Sequence, residues 1–193
     1  MKVFIAGPRA VKTLSESVID VLFRIKENQL TVLLGDANGV DCLVQRYFAD
    51  EQYPNVHVYA SNGRARNNIG GWVVHNVNVL SNVKGFEFYA QKDIQMAQDA
   101  DNGFMIWNGK SKGTLNNIIN LTSQNKKTKV YLTFEKRTHY ISKIDDVEKL
   151  ARHMGADTLK LFYELSLNGT DSNRGPSQIS LFEISQSEVS SVV

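Results

Sequence analysis

Residues 109–114, GKSKGT, place two glycines, two lysines, a serine and a threonine behind the apolar run GFMIW and in front of a helix-like stretch. Amides at a helix start bind anions, and glycine lets a phosphate approach them, so Gly109, Lys110, Ser111, Lys112, Gly113 and Thr114 form a candidate phosphate cradle. The loop lacks the spacing of a Walker A sequence, GxxxxGK followed by serine or threonine, and no ATPase is predicted. Three other polar loops follow apolar runs: Gly7 to Lys12 with Gly7 and Arg9, Gly35 to Asp41 with Gly35, Asp36, Gly39 and Asp41, and Ser61 to Arg66. If all four meet at one edge, they offer backbone amides, hydroxyls and cations to a phosphorylated small molecule. Taken singly, each has a plainer reading: Gly35 and Gly39 as turn formers, Asp41 and Thr114 as helix caps, the lysines as solvated charges.

The elements that would position these loops are legible in the hydrophobic pattern. KVFIA (2–6), TVLLG (31–35), VHVYA (56–60), GFMIW (103–107) and KVYLTF (129–134) read as buried strands. Between them, Val18, Leu22 and Ile25 repeat at helical spacing behind a Thr13–Glu16 capping-box pattern, and Leu43, Val44, Tyr47 and Phe48 mark a helix with Asp41 at its start. AQKDIQMAQDA (90–100) and LNNIINLTSQN (115–125) complete the alternation. Strand-helix alternation predicts an α/β, Rossmann-like three-layer sandwich with a mainly parallel sheet of five or more strands. Ligands of such sheets bind beyond the carboxyl ends of the strands, where these loops would lie. Residues 61–88 break the rhythm and read as an irregular insertion, a lid or subunit contact. The expected organisation is a ligand-binding α/β domain over 1–134, a helical extension over 135–167, and a flexible tail over 168–193 rich in Ser, Gly, Asn and Gln.

Composition narrows the classes. The chain has 193 residues, is 42% hydrophobic and 22% charged, and carries a formal charge of +2. That is globular composition, too mildly basic to argue for direct nucleic-acid binding. A single cysteine, Cys42, cannot staple the fold, and no apolar run reaches the roughly 20 residues of a membrane helix, so a cytoplasmic protein without membrane contact is expected. The histidines at 57, 75, 139 and 153 lack metal-ligand spacing, and no metal or cofactor is called for.

In their order along the chain, IAGPRA (5–10), LLGDANGVDCLVQRYF (33–48) and QKDIQMAQDADNGFMIWNGKSKGT (91–114) resemble the SLOG group of Rossmann-like domains. That group includes the lonely-guy phosphoribohydrolases, the DprA/Smf DNA-processing proteins and small YspA-like proteins, the last being the most similar. The resemblance spans about residues 1–134. It implies a nucleotide or phosphoribosyl ligand, held by a sensor or by an N-glycoside hydrolase, and commonly a homo-oligomer, with a dimer favoured. The phosphoribohydrolases carry a pattern like RKxxMA on one helix and PGGxGTxxE on the next loop and helix. Here Met96, Ala97, Gly113 and Thr114 match, whereas Lys92 stands for the arginine and Asn117 for the glutamate. Lysine keeps the cation without the bidentate fork, and asparagine removes the carboxylate that would stabilise an oxocarbenium-like state. Asp93, Asp41, Asp36 and Glu87 are the carboxylates that could replace it, and Lys92 with Asp93 would sit nearest any chemistry. Trp107 and Tyr89 are candidates to stack on a base.

QISLF (178–182) interrupts the polar tail with an apolar group. It resembles the QLxLF peptide by which bacterial proteins dock on the DNA polymerase sliding clamp, with Gln178, Leu181 and Phe182 matching. The resemblance implies an alternative role as a DNA-processing or replication-associated accessory protein. An edge strand packing back on the domain is the other reading of ISLFEI.

Overall fold

The computed structural model describes residues 1–168, and QISLF lies outside them. Thirteen elements follow one another along the described residues: β1 (Lys2–Ala6), α1 (Glu16–Glu27), β2 (Thr31–Gly35), α2 (Val40–Asp50), β3 (Val56–Ser61), β4 (Val73–Val77), α3 (Gly85–Asp99), β5 (Asn102–Trp107), α4 (Lys112–Ser123), β6 (Thr128–Leu132), β7 (Arg137–Ile141), α5 (Ile144–Met154) and α6 (Ala156–Asn168). The unbroken apolar runs of β1, β2 and β5 are what strands covered on both faces require. Phe4, Leu33 and Met105 face one apolar cluster with α3, α4, α5 and α6, while Ile5, Leu34 and Phe104 face the other with α1 and α2. The period of two thus splits one sheet into two cores and makes a three-layer α/β sandwich of Rossmann-like form.

The sheet has seven strands in the order β4-β3-β2-β1-β5-β6-β7, parallel throughout except for the antiparallel β6–β7 pair. Strand order reverses about β1, whose neighbours are β2 and β5. The crevice between the loops after β1 and β5 is therefore the topological switch point, where open sheets of this kind take their ligands.

Two strands depart from expectation, and both are at edges. β4 lies inside the segment read as an irregular insertion, and β7 opens the segment read as helices alone. An edge strand has a partner on one side only and needs no continuous apolar run, so VVHNV and RTHYI carry little signal. Two helix starts also differ. α1 begins after Ser15, whose hydroxyl donates to Tyr131 Oη at 2.8 Å, so Thr13 and Glu16 form no capping box. α2 begins after Gly39, not at Asp41. Gly39 has φ +79°, and a Cβ there would lie 2.5 Å from the Arg9 Cα and the Pro8 carbonyl oxygen, so the first two loops close only around a glycine.

Candidate functional site

The carboxyl edge gathers the expected loops. Gly7 and Arg9 follow β1, Asp36 follows Gly35 at the end of β2, residues 62–66 follow Ser61 at the end of β3, and Gly109 to Ser111 join β5 to α4. Val40 N donates to the Pro8 carbonyl at 3.3 Å, tying the first loop to the second. The third is fastened to the second by Arg66, which meets Asp36 through Nε at 3.0 Å, Nη2 at 2.6 Å and its backbone amide at 3.1 Å. Asn67 Nδ2 donates to the Asp36 carbonyl at 2.7 Å, and the buried Gln45 donates to the Gly35 carbonyl at 2.9 Å while accepting from Ile69 N at 3.0 Å. Residues 61–72 are thus held down on the edge by specific polar contacts.

Beneath this seam lies a buried charge cluster. Lys92 enters from α3 and places its Nζ 2.7 Å from Asp93 Oδ1 and 4.0 Å from Asp36 Oδ1. A Cβ on Gly35 would lie 2.8 Å from that Nζ and would collide with the Asp41 carboxylate, so the glycine is what admits both groups. Burial would drive the Lys92 proton off, but Asp93, Asp41 and Asp36 outweigh it and hold the ammonium above its ordinary range. Burial likewise pushes Asp36 up, and the hydrogen bonds from Arg66 with the Lys92 charge bring it below the usual carboxylate value. Asp41, wholly buried, is pushed up to about 6 by burial, with Lys92 opposing. Two cations facing three carboxylates leave one negative charge in excess, and Asp41 is the site where a proton relieves it.

That assignment predicts a pH dependence. A raised folded-state value means that protonation favours the native state: the contribution is complete below 3.8, the ordinary value, and is lost as pH rises through about 6. Asp41→Asn keeps an acceptor for the Ala37 amide, which Asp41 now receives at 3.1 Å, and removes the titration. Wild type is expected to lose about 3 kcal/mol relative to Asp41→Asn between pH 3 and 7 in chemical denaturation, about two thirds of it between pH 4 and 6. Parallel stability profiles for the two proteins would show that Asp41 takes up no proton.

Above the cluster, α3 presents two exposed aromatics, Phe86 and Tyr89, one helical turn apart. The guanidiniums of Arg9 and Arg66 lie 5.1 and 4.9 Å from the Tyr89 ring centre, and Lys112 Nζ lies 4.6 Å from that of Phe86. Two loop arginines and the first residue of α4 therefore converge on one aromatic ledge. Phe86 went unremarked in the sequence because the start of α3 falls inside the segment without a clear period. Trp107, by contrast, is core: it is fully buried and donates from Nε1 to the Ser111 carbonyl at 3.2 Å.

The 109–114 loop is more self-contained than its composition implies. Asn108 Oδ1 accepts from the amides of Lys110 and Ser111, while Ser111 Oγ accepts from the amide and hydroxyl of the buried Thr114. Among the described residues no partner meets the Lys112 and Gly113 amides, which remain the donors available to an anion. Gly113 faces open space, and Gly109 turns the chain at φ +75°. Asn117, one turn further on, is buried with no hydrogen-bond partner for Oδ1.

No family model matches the chain, and no curated protein matches it in sequence. Among solved structures it is similar to DNA processing protein A from Helicobacter pylori, whose description concerns a unique single-stranded DNA binding mode. The superposition has a TM-score of 0.54 at 12% identity and covers 87% of this chain and 81% of that one. The likeness carries the fold: this chain shares the sandwich of the DNA-processing protein. No helix of the described residues is long and apolar enough to cross a membrane.

Proposed function

We propose that the carboxyl edge binds a nucleotide or phosphoribosyl-type ligand. The observation that carries this reading is the convergence of Arg9, Arg66 and Lys112 on the exposed rings of Tyr89 and Phe86 at the switch point. A base or sugar lies against the aromatic ledge, and phosphate is taken by the Lys112 and Gly113 amides with Lys112 and Arg9. The burial pattern favours a sensor over a hydrolase. Asp41 is sealed, Asp36 is committed to Arg66, and Asn117 replaces the glutamate of the phosphoribohydrolases. Asp93, whose side chain is 19% exposed against 5% for Lys92, is the carboxylate of the cluster best placed to reach a ligand, so Lys92 and Asp93 are where N-glycoside cleavage would occur.

A second reading, a DNA-associated accessory protein, is favoured by the structural likeness to the DNA-processing protein. The same ledge of aromatics and cations would then stack successive bases of a single strand. Docking of Gln178, Leu181 and Phe182 on a sliding clamp belongs to this reading. It remains a proposal from the sequence, as does a homodimer.

A thermal-shift screen with nucleoside mono-, di- and triphosphates, cyclic nucleotides and a thymidine oligomer separates the two. The first reading expects a saturable rise in midpoint with mononucleotides that Tyr89→Ala removes, and the second expects the rise with the oligomer alone. Chromatographic release of free base would make the protein a hydrolase despite Asn117. No shift with any of them would overturn both uses of the ledge.

A further inference from the structure

A cavity of about 620 Å³ lies between β7 and α5, away from the aromatic ledge. Its floor is apolar, formed by the buried Ile141 and Leu150. Its walls carry Arg137 and His139 from β7 and Lys149 and His153 from α5, one turn apart, with Glu135 at the β6–β7 turn. The two carboxylates in the lining are already engaged. Glu135 accepts from His139 Nε2 at 3.1 Å through Oε2 and from His153 Nε2 at 2.5 Å through Oε1. Asp146 accepts from the Ser142 amide and hydroxyl, both at 3.0 Å, and from the Lys143 amide at 3.2 Å, closing the start of α5. Among the described residues no carboxylate partners Arg137 or Lys149, so the charges left open to a ligand are positive. Metal is not the natural occupant, because no three His, Cys, Asp or Glu side chains among the described residues are placed to hold an ion.

We propose that this cavity is a second, separate binding site, for a small phosphorylated molecule of about nucleoside-diphosphate size. Its volume falls in the range of about 300–1,000 Å³ that such ligands occupy. Phosphate would meet Arg137 and Lys149, and the ring would rest on Ile141 and Leu150. It also reaches toward the first site. His153 precedes Met154, whose Sδ would lie 2.9 Å from a Cβ on Gly109, and Thr158 Oγ1 donates to the Gly109 carbonyl at 2.9 Å. A ligand here would press on the residues that hold the 109–114 loop.

The test is calorimetric titration of the full chain with inorganic pyrophosphate and with ADP, in an Arg9→Ala/Lys112→Ala background that silences the ledge. Binding is expected to persist there and to fall about tenfold or more when Arg137→Ala and Lys149→Ala are added, since each cation contributes a charge-assisted hydrogen bond. Both side chains are exposed, so thermal midpoints should stay alike. Hydrogen exchange with ADP should slow within residues 135–153. Absence of binding by both probes in that background, or affinity unchanged by Arg137→Ala/Lys149→Ala, would overturn the proposal. Neither result bears on the ledge, which is read by the Tyr89→Ala screen in the wild-type background.

Discussion

Lys92→Met should destabilise the protein by about 3–5 kcal/mol at pH 7, the cost of removing one partner from a buried ionic group. The side chain it replaces is 5% exposed and is the cation shared by Asp93, Asp36 and Asp41. Methionine fills the volume but leaves three carboxylates, at the end of β2, the start of α2 and the middle of α3, with Arg66 alone to answer them. Protonation is the only local relief, and Asp41, already at about 6, would take the proton first. The deficit should therefore shrink as pH is lowered toward 5, where wild type has less to gain from Lys92. Urea denaturation of both proteins at pH 7 and pH 5 reads the effect. A loss below about 1 kcal/mol at pH 7 would mean that the cluster is solvated rather than buried.

How much of this was legible in the sequence depended on which residues were asked. The strands β1, β2 and β5 announce themselves because burial on both faces demands unbroken apolar runs, and β3 and β6 do so through shorter runs beside His57 and Lys129. The edge strands β4 and β7 do not, because an edge tolerates His75, Asn76, Arg137 and Thr138. The polar loops behind the apolar runs imply one shared edge, and strand order places their starts there. What the sequence could not show is the pairing across it. Asp36 and Arg66 are thirty residues apart, and nothing local says that one holds the other. Lys92 and Asp93 are adjacent in sequence, yet the approach of Asp41 depends on Gly35 lacking a side chain. Composition overstated the 109–114 loop for a related reason. Ser111 and Thr114 look like ligands for phosphate, but a hydroxyl near a helix start is as readily consumed by its own helix, as here.

Arg9 and Arg66 approach the same ring, yet their replacement should have different consequences. Arg9 is exposed and its contact is with Tyr89, so Arg9→Ala should leave stability within about 0.5 kcal/mol of wild type. If it binds phosphate, affinity for the stabilising nucleotide should fall about tenfold or more, the equivalent of one charge-assisted hydrogen bond. Arg66→Ala should weaken the ligand comparably, but it also strips the fork from a carboxylate whose side chain is 4% exposed. A loss of roughly 2–4 kcal/mol in stability is expected with it, because Asp36 then keeps only the more distant Lys92 as a cation. Arg66→Lys discriminates further: it restores charge near Tyr89 but cannot make both hydrogen bonds to Asp36, so affinity should recover more than stability does. Denaturation and nucleotide titration on the three variants give the two readouts independently. If Arg9→Ala cost as much stability as Arg66→Ala while leaving affinity intact, the ring contacts would be structural and the ledge would lose its claim to a ligand. The expected split, affinity alone for Arg9 and affinity with stability for Arg66, follows from where each guanidinium is anchored: one to an exposed loop, the other to the buried floor of the site.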